Sequence, residues 1–212
     1  MALAFRTCVA VYWLALVIWV SVLISAGVAA MSAFTVLPED SLGLTLDQFS
    51  AYDLDHGRIA AGKVLEPIFT FVDVVQVAAG SIALITLILM FTLFGRAYGQ
   101  EWKRPANLVR VLALLLAAGL FLVRAITVTP EMNRDLQAYW QAAEAGEVER
   151  AAALRESFDA LHRRARPLFD GSLLALLVAV GASGVATLPR RFGDRAPTSE
   201  LDAPALLNKP RP

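Results

Sequence analysis

Long apolar segments separated by polar ones form the dominant pattern along the chain. No charged residue occurs from Cys8 to Leu37, from Val74 to Phe94 or from Gly171 to Leu188, segments of 30, 21 and 18 residues. An α-helix needs about 20 apolar residues to cross the roughly 30 Å hydrocarbon core of a bilayer. The pattern therefore predicts three spanning helices, at about 9–37, 68–94 and 168–188.

A fourth spanning helix is predicted at about 107–128, although charge shortens its apolar part. Only Val111 to Val123 is free of charge, and Arg110 and Arg124 flank this stretch. Each arginine must extend to an interface or find a partner inside the protein. The predicted fold class is all-α, an integral membrane four-helix bundle with a long extramembrane helical linker between the third and fourth spans.

Polar segments connect the predicted spans. Residues 38–63 are acidic and predict a solvent loop with room for a short helix. After Pro130 the chain is polar, and its apolar positions recur every three or four residues, as in a helix; these positions are Leu154, Phe158, Leu161, Ala165 and Leu168. We expect a four-span membrane domain at 1–190 and a disordered, Pro-rich tail at 191–212.

Basic residues predict the orientation of the bundle. With four spans, one face carries Arg6, Arg96, Lys103, Arg104, Arg190 and Arg191. Positively charged flanks stay in the cytoplasm, so both termini are predicted to be cytoplasmic in a cell membrane. A cleavable signal peptide is the alternative for the first segment, but its apolar run exceeds the usual length of about 7 to 15 residues.

The composition of the chain restricts the kinds of partner that it can bind. The chain is 57% hydrophobic, which points to a lipid bilayer as its solvent, and its 19 basic residues balance its 19 acidic ones. This balance argues against a nucleic-acid partner. The single cysteine, Cys8, excludes a disulfide within the chain and a thiolate-rich metal site. A homo-oligomer or a membrane-protein partner remains open.

Charged residues at membrane depth are the first candidates for a functional site, since burying one costs about 2.5 to 3.5 kcal/mol on insertion scales. Glu66 and Asp73 share a stripe of the second helix, and Arg124 lies toward the same outer face. We predict that Arg124 pairs with Asp73 or Asp170. The alternative is that Arg124 and Asp73 mark helix ends at the headgroups. The candidate polar pocket comprises Glu66, Asp73, Arg124, His162 and Asp170.

Catalytic and cofactor signatures are not found in the sequence. His162 could relay protons or bind a metal, or it could be a hydrogen-bonded packing residue. A metal site requires several ligands, and His56 is the only other imidazole. No nucleophile elbow, phosphate-binding glycine loop or His-Glu-x-x-His motif occurs. We therefore expect no cofactor and no enzymatic activity.

Two sequence segments resemble the transmembrane protein 205-like family, four-span proteins catalogued as a domain of unknown function. The first segment contains Arg124, Pro130 and Met132 and continues into a linker that ends in the pattern Leu154-Arg155-x-x-Phe158-x-x-x-His162. The second is the segment Gly62 to Phe69. With the four-span layout, the resemblance covers roughly residues 9–188. It implies a compact four-helix membrane domain, and in some members a link to export of drugs or metal compounds.

The chain departs from that family at two places. Arg163, Arg164 and Arg166 replace small and amide residues that usually follow the family's histidine, and the first loop is longer. The sequence is compatible with two functions. The first is binding or transport of a small solute or ion through the polar pocket. The second is a noncatalytic membrane scaffold or assembly partner that acts through the helical linker.

Overall fold

Long helices account for most of the chain. The structure, a computed structural model, describes residues 2–37, 44–95 and 104–187. Its elements in chain order are α1 (Ala2–Val36), a 3-10 helix (Asp47–Phe49), α2 (His56–Thr92), α3 (Pro105–Val123), a π-helix (Arg124–Val128), α4 (Thr129–Glu144) and α5 (Val148–Thr187). No strand occurs in these ranges.

Four of the helical segments are long and apolar enough to cross a membrane. They are Ala2–Val36, His56–Thr92, the continuous Pro105–Glu144 and Val148–Ala186. Large apolar side chains such as Phe71, Ile126 and Leu174 project from them into the surroundings, as expected where lipid covers the surface. The predicted all-α, four-helix, multi-pass membrane architecture is confirmed.

The helices pair into two hairpins. In the first hairpin α1 packs along α2, and in the second α3 and α4 pack along α5. Between the hairpins, Trp19 and Leu16 contribute to a fully buried core with Leu114 and Leu176. Lipid is as apolar as these side chains, so close van der Waals packing must hold the hairpins together within the membrane.

The first hairpin depends on one glycine. A Cβ atom added at Gly80 of α2 would lie 2.9 Å from the indole ring of Trp19 in α1. Trp19 is almost completely buried, at 1% exposure, so its ring has little freedom to move. Gly80 therefore permits the close approach of the two helices.

A layer of helix and aromatic side chains, which we call the outer layer because it lies beyond the apolar part of the bundle, covers one end of the bundle. Phe49, Tyr52 and Ile59 from the first hairpin pack against Tyr139 and Trp140 of α4. The prediction of a loop at 38–63 is wrong for the last part of that range, because α2 begins at His56. This amphipathic segment is too polar to indicate a membrane span, and its packing in the layer stabilises it as helix.

The third span continues into the linker through a π-turn. The amide of Thr129 donates to the carbonyl of Arg124, five residues earlier. Pro130 has no amide hydrogen, and its ring crowds the preceding turn, which a wider turn accommodates. The predicted third span thus has no break at its outer end. The predicted tail at 191–212 and most of the basic turn lie outside the described residues.

Candidate functional site

A buried polar network joins the two hairpins at the end of the apolar bundle that is nearest the outer layer. Arg124, at the start of the π-turn, donates from Nη2 to Oδ1 of Asp73 on α2. Gln76 donates to the same Oδ1 at 3.1 Å, and Trp19 donates to Gln76 Oε1 at 3.4 Å. The chain of contacts therefore runs from α1 through α2 to the π-turn.

Burial and aromatic rings define the surroundings of Arg124. Its side chain is only 7% exposed, and its guanidinium carbon lies 5.6 Å from the ring centre of Phe121 and 5.9 Å from that of Phe169. A charge in such a setting is tolerated because a carboxylate and the π-faces compensate its lost hydration. Of the two predicted partners, Asp73 is the one in contact.

The other predicted site residues contact different partners. Asp170 is exposed and lies 3.7 Å from Arg166 on its own helix. Glu66 accepts a hydrogen bond from Gln137 at 2.7 Å, and the exposed His162 stacks on Phe158 with ring centres 5.9 Å apart. The five residues of the predicted pocket are thus distributed over several places, and the contacts unite only Asp73 with Arg124.

Two further ion pairs tie α2 to α5 above the membrane segment. Arg155 donates to Asp55 at the start of α2, and Arg58 donates to Asp159. Arg155 and Asp159 lie four residues apart on one helix, a spacing at which they could pair with each other. Instead each binds a residue about 100 positions away, which the spacing within one helix could not reveal.

An open depression of about 380 Å³ lies beside these two ion pairs. It is lined by Tyr52, Leu54, Asp55, Ala152, Arg155, Glu156, Asp159 and Arg163. Burial, followed by the nearby charge of Asp55, raises the pKa of the Tyr52 phenol above its ordinary value. Tyr52 is therefore a neutral wall of the depression throughout the physiological range.

The charged side chains around the depression are nearly balanced. Three carboxylates and two guanidinium groups line it, and Arg58, which binds Asp159, supplies a further positive charge. Asp55 and Asp159 are both engaged in ion pairs. Glu156 and Arg163 form no ion pair with any residue that the structure describes, so their charges are accessible to a ligand.

A second buried arginine lies near the opposite end of the bundle. Arg110 is fully buried, with its guanidinium carbon 5.7 Å from the ring centre of Tyr12 and 5.2 Å from that of Phe91. Tyr12 in turn shares a 2.8 Å hydrogen bond with Ser183. The sequence predicted that Arg110 either extends to an interface or finds a partner inside the protein, and its side chain lies inside the protein, beside two aromatic rings.

Within 2–37, 44–95 and 104–187, no three His, Cys, Asp or Glu side chains are grouped so that they could hold a metal ion. No family model matches the chain, and comparison with curated proteins and with solved structures gives no match. The geometry of the outer layer is therefore the basis for a functional proposal.

Proposed function

We propose that this multi-pass membrane protein is a noncatalytic binding protein whose outer layer takes up a small polar solute. The observation that carries the proposal is the 380 Å³ depression lined by charged side chains. Small-molecule sites are concave and use a few polar groups to orient their ligand. Glu156 and Arg163 supply two such groups, and their charges are not neutralised by a described neighbour.

Binding at the outer face is favoured over movement through the bundle. Asp73, Arg124 and Gln76 satisfy one another, and the space between the hairpins is filled by side chains such as Trp19 and Leu114. A transport role would therefore require a rearrangement of the hairpins or a larger assembly. In the proposed topology both termini are cytoplasmic, so the depression faces the exterior of the cell.

The test is a thermal-stability screen of the protein in nanodiscs against metal ions, inorganic anions, organic cations and zwitterions. A ligand at 100 times its dissociation constant should stabilise the folded state by about 2.7 kcal/mol. Stabilisation should be weakened in Glu156→Gln or Arg163→Gln and retained in Glu149→Gln, an exposed carboxylate outside the depression. If nothing in the panel stabilises the wild type, solute binding is refuted.

A second candidate is the membrane scaffold, which the ordered outer layer favours. Two ion pairs and an aromatic cluster fix α4 and the outer part of α5 to the first hairpin, so their exposed face would meet a protein partner without an ordering cost. Exposed residues of that face include Arg150 and Arg164. Charge reversal at these two positions should abolish co-purification with a partner while leaving the depression intact.

A further inference from the structure

The open charges of the depression define a class of ligand. Glu156 and Arg163 are seven residues apart on α5, which places them on one face of the helix and separates their backbones by about 10 Å along its axis. Both line the depression. A single ligand held between them must present a positive group to the carboxylate and a negative group to the guanidinium.

Charge balance around the depression favours a ligand without net charge. The paired residues Asp55 with Arg155 and Asp159 with Arg58 cancel, and Glu156 cancels Arg163. A simple anion would meet the carboxylates, and a simple cation would meet the guanidinium groups. A dipolar ligand satisfies both open charges and leaves the surrounding ion pairs undisturbed.

We infer that the depression binds a small zwitterion that presents one ammonium and one carboxylate group, as a dipeptide or an amino acid does. This inference rests on the proposed outer-face binding function and specifies its substrate class. Glu156 binds the ammonium group and Arg163 binds the carboxylate. The wall formed by Tyr52 and Leu54 packs against the connecting chain of the ligand.

The test is isothermal titration of the full chain in nanodiscs with glycylglycine and with γ-aminobutyrate. N-acetylglycylglycine, which lacks the positive charge, and glycylglycinamide, which lacks the negative charge, serve as controls. Affinity for each control should be lower than for glycylglycine by about tenfold or more, since each loses one charge-assisted contact. Glu156→Gln and Arg163→Gln should lower the affinity for glycylglycine similarly.

Matched variants and alternative outcomes separate this inference from the general function. Glu149→Gln and Arg164→Gln alter exposed charges outside the depression and should leave the affinity unchanged. If only a net anion or a net cation binds, and its affinity falls in either the Glu156 or the Arg163 variant, the inference of a zwitterionic ligand is overturned. The proposed binding at the outer face would still stand. If glycylglycine binds but neither variant weakens it, the assigned residues are overturned. If no probe of any charge class binds, both proposals fail.

Discussion

Arg124 and Asp73 form an ion pair that bridges the two helical hairpins at the end of the apolar bundle nearest the outer layer. Gln76 and Trp19 extend the contact into α1. Because each hairpin contributes one charge, neither charge is compensated until the hairpins associate. The pair therefore contributes to the specificity of hairpin association as well as to its strength.

Removal of either Arg124 or Asp73 should destabilise the folded protein. Arg124→Ala leaves the Asp73 carboxylate with Gln76 in a water-poor site and should lower the free energy of unfolding by about 3 to 5 kcal/mol. Asp73→Ala should also destabilise, and the double variant should be more stable than the sum of the single effects predicts by about 1 to 3 kcal/mol. Reversible unfolding in mixed micelles measures all three. Strict additivity would mean that the two side chains do not interact.

The contact between Gly80 and Trp19 predicts a steric effect. Gly80→Ala should destabilise by about 1 to 3 kcal/mol, because the added methyl group overlaps the buried indole ring. Gly119→Ala is the matched control, since a Cβ there meets nothing within 4 Å; it should be neutral or stabilising by up to about 1 kcal/mol. Equal effects at the two glycines would contradict the proposed close approach.

The ion pairs of the outer layer should protect its backbone from solvent. Arg155→Gln removes the bond to Asp55 and should speed amide hydrogen exchange in residues 47–59, which depend on this tether. Arg150→Gln is the control, because its 2.8 Å pair with Glu147 is exposed on both sides and such pairs contribute about 0 to 1 kcal/mol. An unchanged exchange pattern in Arg155→Gln would show that the bond to Asp55 does not hold these residues in place.

Stability should decline at alkaline pH because of Tyr52. Burial and the charge of Asp55 raise the pKa of its phenol, so the folded state holds the proton more tightly than the unfolded state does. The stabilisation that Tyr52 contributes is complete below the pKa of about 10 that its phenol has in the unfolded state. It is lost as the pH rises through the higher pKa of the folded state. Tyr52→Phe should reduce the pH dependence of unfolding above about pH 10. Identical slopes in both proteins would exclude Tyr52 as its source.

The proposed orientation can be tested with single cysteines in a Cys8→Ser background. Gln48→Cys, in the outer layer, should react with an impermeant maleimide in intact cells. Leu3→Cys, at the opposite end of the first hairpin and 79% exposed, should react only after permeabilisation. The reversed pattern would place both termini outside, and the absence of Leu3 from the mature chain would identify the first segment as a cleaved signal.

The sequence was informative wherever one local property determined the structure. Long uncharged runs predicted the spans because a bilayer imposes a minimum helix length, and the cost of an isolated charge at membrane depth led to the pairing of Arg124 with Asp73. The partners of Arg58 and Arg155 were not predictable, since they lie about 100 residues away. The depression depends on the relative position of α5 and the segment before α2, which no periodicity encodes.

The wide turn at Arg124–Val128 determines which way the outer layer faces. An ordinary α-helix advances about 100° per residue, so a single additional residue in one turn changes the angular position of everything that follows. With that residue, α3 can present Arg124 to Asp73 while α4 presents Tyr139 and Trp140 to the first hairpin. Deletion of one residue here would rotate the aromatic face of α4 away from its partners, although every side chain in the cluster would still be present.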